Sequence, residues 1–219
     1  MFLYKTIQNE GAAETIIEKS RFIGYARPVS NREEADAFIA EIKRKHKDAT
    51  HNVPAFVLGD KGQLQWASDD GEPQGTAGAP IVQMLVMENI TYAAVVVTRY
   101  FGGIKLGTGG LVRAYTNTAK AALEAASICQ VEEMSVIQIK IDYSFINRLK
   151  NLECLNGPAE GIPWFKIRGM VYAEQVTATI MCRAESKEQM VELMMNLTGG
   201  SCTVISEENL PLKMPISTQ

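Results

Sequence analysis

Residues 93–113 read Ala93-Ala94-Val95-Val96-Val97-Thr98-Arg99-Tyr100-Phe101-Gly102-Gly103-Ile104-Lys105-Leu106-Gly107-Thr108-Gly109-Gly110-Leu111-Val112-Arg113. The opening run is apolar, rich in valine and without polar alternation, which is the pattern of a strand covered on both faces. It ends in a cation and two aromatic residues. Two glycine pairs follow, and a helix from about Gly109 to Ala126 then presents Leu111, Tyr115, Thr118, Ala119, Ala122 and Leu123 on one face. Glycine costs backbone entropy and brings no packing, so this density implies left-handed dihedrals or the close approach of another group.

Upstream lies a second glycine-bearing turn, Ser68-Asp69-Asp70-Gly71-Glu72-Pro73-Gln74-Gly75-Thr76-Ala77-Gly78-Ala79-Pro80. It opens a helix expected over Thr76–Asn89, with Pro80 in the first turn, where a missing N–H is tolerated. Strands are expected from Asn52 or Val53 to Leu58 and from Leu64 to Ala67. The first thirty residues read as a three-stranded meander, Tyr4–Gln8, Ala13–Glu18 and Phe22–Val29. Ser30 is the expected N-cap of a helix with Ala35, Phe38, Ile39 and Ile42 inward, closing on Lys43-Arg44-Lys45-His46-Lys47, cations suited to a helix C-terminus. Together these elements make an α+β domain over residues 1–130. Residues 135–208 follow the order strand, helix, strand, strand, helix, strand, which is the ferredoxin-like pattern. Residues 209–219 read as a flexible tail.

The chain has 219 residues, 46% of them hydrophobic, enough for an ordinary core in one large or two small domains. No apolar run approaches the roughly 18 residues that span a bilayer, and the N-terminus lacks the features of a secretory signal, so a cytoplasmic protein without membrane contact is expected. Cys129, Cys154, Cys182 and Cys202 contain no C-x-x-C pair and read as buried thiols rather than disulfides or a metal site. Net charge is −3. Neither part is basic: residues 1–133 carry 14 Lys and Arg against 16 Asp and Glu, the remainder 8 against 9. RNA binding would therefore depend on a local patch.

That patch is sought at the two glycine turns, since a helix N-terminus offers unpaired N–H groups and partial positive charge to an anion. Thr76 and Gly78 mark the first, and Thr108, Gly109 and Gly110 the second. Arg99, Lys105 and Arg113 are the cations beside them. Arg99 has two readings, a phosphate clamp or the partner of Asp69, Asp70 or Glu72. Tyr100-Phe101 can stack on bases or close a core. His51, Asp69, Asp70 and Glu72 form either an acid–base cluster or a structural polar one. Neither a P-loop nor a dinucleotide fingerprint is present, so no cofactor is expected, and the acidic turn lacks calcium-loop spacing, so no metal is expected. Nucleophile elbows and H-E-x-x-H pairs are also missing, and no catalytic residue is assigned.

Five segments carry a resemblance to the Impact/YigZ family: Lys19-Ser20-Arg21-Phe22-Ile23, His51-Asn52, Ser68–Pro73, Gly75–Gly78 and, above all, Val97–Arg113. The resemblance covers essentially the whole chain. It implies an N-terminal domain like the second domain of ribosomal protein S-five, a ferredoxin-like C-terminal domain, and a link to translation. Eukaryotic relatives that regulate an initiation-factor kinase do so with an added N-terminal domain, whereas this chain begins at the shared one. Val53 and Ala79 depart from the Cys and Lys frequent in relatives. The expected function is a non-enzymatic translation-associated regulator that binds RNA or a ribosomal surface. The alternatives are an enzyme or binder of a phosphorylated small molecule and a module that binds a protein partner.

Overall fold

The computed structural model describes residues 2–155 and 161–216. It is an α+β protein of two compact units. One contains residues 4–131 together with 213–216, the other residues 2–3 and 132–212. The expected limits of 1–130 and 135–208 differ from these because both chain ends cross over. Residues 128–141 form one uninterrupted strand, so the stretch between the two expected domains, 131–134, is regular structure.

In the first unit the strands are β2 (Gly11–Ile17), β3 (Ser20–Pro28), β4 (His51–Leu58), β5 (Leu64–Ala67) and β6 (Ala93–Tyr100). They form an antiparallel sheet in the order β2-β3-β6-β4-β5. The central position of β6 explains its unbroken apolar sequence. Ala93, Val95 and Val97 face helices α2 (Gly78–Met87) and α3 (Gly107–Ala125), while Ala94 and Val96 face α1 (Arg32–Lys45). With both faces covered, no polar residue enters the strand before Thr98. The meander is a correction: β1 (Phe2–Ile7) pairs in the other sheet, and only β2 and β3 form a hairpin. Asn31 rather than Ser30 caps α1, its side chain accepting from Glu34 N at 2.9 Å. Glu34 answers by accepting from Ser30 N at 2.7 Å, a reciprocal cap shifted by one residue.

The α3 helix lies close on β2 and β3. A Cβ on Gly24 would sit 2.6 Å from the Thr118 carbonyl oxygen, on helix backbone that has no freedom to move aside. Tyr115 on the same helix meets Phe22 edge-on, with ring centroids 5.3 Å apart at 89°. These contacts set where α3 begins relative to the end of β6.

The second unit follows β7 (Ile128–Ile141), α4 (Ile146–Leu155), β8 (Phe165–Tyr172), β9 (Val176–Arg183), α5 (Lys187–Thr198) and β10 (Thr203–Pro215). Its sheet runs β7-β9-β8, with β10 also on β7, giving the ferredoxin-like order. Ile137, Ile139 and Ile141 alternate inward and pack with Leu149, Met190 and Met194 from the helices. The expected flexible tail is corrected over 209–215, which belongs to β10; residues 217–219 of that tail lie outside the described residues. Cys129, Cys182 and Cys202 are buried as expected, and Cys154 is exposed.

Replacing Gly24 with alanine inserts a methyl group where helix backbone already stands, and the expected cost is about 1–3 kcal/mol. Urea unfolding of Gly24→Ala against the parent measures it. An unchanged midpoint would mean that α3 does not lie where described.

Candidate functional site

Strand register brings the site together. Arg99 on β6 is opposite Phe22 on β3 and His51 on β4, so the three side chains stand abreast on the face that carries α2 and α3. Tyr100, one residue further, points to the opposite face, where its hydroxyl bonds His46 Nδ1 at 2.9 Å. The expectation that Tyr100 stacks on bases is therefore corrected. Phe101, beyond the strand end, is 47% exposed and is the available ring.

Arg99 is only 5% exposed. Its Nη1 donates to Glu72 Oε1 at 2.6 Å, its Nη2 to Ser20 Oγ at 3.4 Å, and its guanidinium carbon lies 5.3 Å from the ring centroids of both Phe22 and Phe101. Of the two sequence readings, the structural ion pair is the one observed, and its partner is Glu72. Tyr115 Oη also donates to Glu72 Oε1, at 2.8 Å. Burial, then the bond to this carboxylate, pushes the Tyr115 pKa far up, so the phenol stays protonated and remains a donor. Arg99 Nε is buried without an acceptor among the described residues.

His51 is fixed by a backbone group. Its Nδ1 lies 2.8 Å from the Asp70 carbonyl oxygen, which can only accept, so the neutral ring carries its proton on Nδ1 and presents a lone pair at Nε2. That Nε2 is 3.8 Å from Glu72 Oε1, beyond hydrogen-bond length.

The remaining acidic residues hold the loop. Asp70 accepts from Lys43 Nζ at 2.6 Å and from Asn52 N at 2.7 Å. Asp69 accepts from Gly75 N at 2.7 Å, Ala77 N at 3.1 Å and Gly78 N at 2.8 Å. Burial acts to raise its pKa, but the three N–H bonds outweigh that and hold it below the ordinary value. The glycine turn at the start of α2 is thus an anion site already occupied by the chain's own carboxylate. Gly78 is corrected as an external anion ligand because its N–H is spent, and Thr76 because its hydroxyl donates to Pro73 O at 2.7 Å.

The second glycine turn differs. α3 begins with no side-chain cap bond and no acidic residue in its first turn. Gly103 and Gly107 take φ of +87° and +70°, and a Cβ on Gly102 would stand 2.0 Å from the Lys19 carbonyl, so left-handed turns and close approach both occur here. A cavity of ≈ 450 Å³ opens at this helix start, lined by Thr50, His51, Glu72, Pro73, Arg99 and Phe101 on one side and Lys105, Leu106, Gly107, Thr108 and Leu111 on the other. Lys105 is also a wall of a neighbouring groove that contains Gly110 and Arg113. Gly109 is exposed in the first turn of the helix.

The sequence reading missed Tyr115, Ser20 and Thr50 as site residues. A tyrosine on an inward helix face carries a hydroxyl that needs a partner, and that was the available signal for the first. Ser20 falls in the family-like segment Lys19–Ile23 without being marked as a site residue, and Thr50 left no signal, because only the fold brings them to Arg99, to Gly102 N at 3.2 Å and to Phe101 N at 3.0 Å. Among the described residues no group of three His, Cys, Asp or Glu side chains is placed to hold a metal ion.

A sheet whose central strand ends in this polar cluster beside a glycine-opened helix defines an α+β domain of recognised type. Residues 18–123 match the Impact N-terminal domain. Over 201 residues the chain is 36% identical to the IMPACT family member YvyE of Bacillus subtilis, covering 92% of this chain and 89% of that protein. It is 32% identical to the IMPACT family member YigZ of Escherichia coli over 194 residues, covering 88% and 92%. A solved structure described as a hypothetical protein is 29% identical and superposes with a TM-score of 0.57, covering 94% of this chain and 98% of that one. The protein belongs to the IMPACT family.

Two substitutions test how the site is held together. Glu72→Gln leaves the Arg99 charge buried without its counter-ion, and the expected loss is about 3 kcal/mol or more. Calorimetric unfolding reads it, and a loss below about 1 kcal/mol would remove the ion pair from its central place. Asp69 contributes stability above its unfolded pKa of about 3.9, and that contribution disappears as pH falls through the depressed folded value. Asp69→Asn should be less stable than the parent at neutral pH, with the gap narrowing between about pH 4 and the acid limit of folding; a gap independent of pH would contradict the capping role.

Proposed function

We propose that the protein is a translation-associated regulator that binds RNA, free or on the ribosome, without catalysing a reaction, through the face around the start of α3. The observation that carries this reading is the position of Lys105. It lines both the cavity at the uncapped helix terminus and a groove in which Arg113 stands with Glu18, so one cation joins two adjacent surfaces at the start of α3. Exposed Phe101 beside them supplies a ring on which a base can stack. Arg99 acts from below as a positioning residue, since Glu72 already satisfies most of its charge. Thr108, Gly109 and Gly110 provide the N–H groups. The family resemblance adds the connection to translation. Among the described residues no helix is long and apolar enough to cross a membrane.

Co-sedimentation with ribosomes and with bulk RNA over a salt series tests the proposal. Association should weaken steeply as salt rises. Each phosphate neutralised on a single strand accounts for about 0.7 of the log–log salt slope, so the double variant Lys105→Ala, Arg113→Ala should lower that slope by about 1.4. Both side chains are exposed, so the fold should be retained. An unchanged affinity and slope in this variant would place RNA binding elsewhere or remove it.

A further inference from the structure

We infer that the free edge of β5, together with the face of α2 beside it, is the contact through which two copies of this chain pair as a symmetric dimer. The inference stands apart from the RNA-binding reading and does not depend on it.

Strand polarity shows which groups lie open. Ser68 N donates to Pro54 O at 3.2 Å, and Ala67, Trp66, Gln65 and Leu64 are opposite Ala55, Phe56, Val57 and Leu58. Bonding alternates along an antiparallel ladder, so Leu64 and Trp66 exchange bonds with β4 while Gln65 and Ala67 turn their N–H and C=O groups outward. β5 is the last strand of its sheet, and among the described residues no backbone group bonds to those outward atoms.

Exposed edges are ordinarily guarded by charge, proline or a bulge. β2, at the other end of the same sheet, carries Glu14, paired with Arg21 at 2.8 Å. β8, at an end of the second sheet, carries Lys166 and Arg168 and a break in register between Ile167 and Gly169. β5 has none of these: Leu64–Ala67 is uncharged, and its register on β4 is regular.

The helix beside it repeats the anomaly. α2 has no charged residue among Gly78–Met87, although a helix at a protein surface normally keeps a charged outer face. Ile81 and Leu85 face the core, while Ala79, Val82, Gln83 and Val86, at i, i+3, i+4 and i+7, form a second stripe. The first three line a groove of ≈ 390 Å³ with Gln65, Ala67 and Ser68, so this stripe overlooks the β5 edge. Val86 is 44% exposed, and Trp66, stacked on Phe56 on the face that carries α1, is 36% exposed.

Symmetry identifies the occupant. A two-fold axis at Trp66 pairs Gln65 with Ala67 of the second copy and the reverse, so every outward group is satisfied in identical hydrogen-bonded pairs. A surface that meets itself across such an axis must set no like charges opposite each other, and neither Leu64–Ser68 nor Gly78–Met87 carries a charge. The helices fit as well. α2 packs on both β4 and β5. With strands about 4.8 Å apart, a helix above that pair and its symmetry mate lie roughly 9–10 Å from each other, the spacing of packed helices. The two stripes then close on each other, and Trp66 lies against Trp66 of the second copy.

Sedimentation velocity of the full chain over about 1–500 µM tests the inference, since so short a contact belongs to the weak class. The expected result is a monomer–dimer equilibrium in which amide exchange at Gln65 and Ala67 slows as concentration rises. Gln65→Pro removes an outward N–H at an exposed edge position where proline is tolerated. Val86→Lys sets like charges across the axis, and a cation there suits the C-terminal turn of α2. Each should raise the dimer dissociation constant at least about ten-fold, with the thermal midpoint of the dilute protein unchanged. A monomer at every concentration would overturn the inference, as would a dimer that both variants leave intact. Protection of those two amides only when ribosomes or another protein are added, with the chain itself monomeric, would assign the edge to a different occupant and overturn the second copy.

Discussion

The buried pair of Glu72 and Arg99 is the constraint around which the first unit is arranged. Removing two charges from water is costly, and the cost is recovered only if the geometry is close and the remaining lone pairs and protons are satisfied. Glu72 achieves this by accepting from both Arg99 and Tyr115, which ties the loop after β5 to the end of β6 and to the middle of α3. The loop itself is fixed in place by Asp69 and Asp70 through backbone N–H groups and Lys43. Each acidic residue of the turn therefore has a separate structural duty. The start of α3, and with it Lys105 and Thr108, is set by that shared anchoring.

Two helices with similar glycine-bearing openings have come to opposite electrostatic states. At α2 the partial positive charge is quenched within the chain, which makes the turn rigid and removes it from contact with ligands. At α3 it is left facing a cavity, where solvent or a ligand must complete it. An uncapped helix start forgoes about 1 kcal/mol that a good N-cap would contribute.

The second unit carries a separate core built on alternating isoleucines and methionines from its two helices. Two of its cysteines are core residues: burial pushes the Cys182 thiol up to about 11, so it remains protonated, and Cys202 is packed in the same core, whereas Cys154 is exposed on α4. The buried cluster of Glu72, Arg99 and Tyr115 lies in the first unit, which contains the segment matched to the Impact N-terminal domain.

Much of the architecture was legible in the sequence by itself. The valine run of β6, the alternating isoleucines of β7 and the helical spacing of α1 and α3 each report burial directly, because apolar periodicity follows the faces that must be covered. The same reading placed both glycine turns at helix starts and gathered Arg99, Lys105 and Thr108 into one neighbourhood. Tertiary structure decided which of them remain open to a ligand. That Arg99 is consumed by Glu72, that Asp69 reaches forward to close α2, and that β1 leaves its expected hairpin are outcomes of contacts between residues distant along the chain. Local sequence carries the cost of burying a group, whereas the partner that offsets that cost is specified only when register and packing bring it within hydrogen-bond reach.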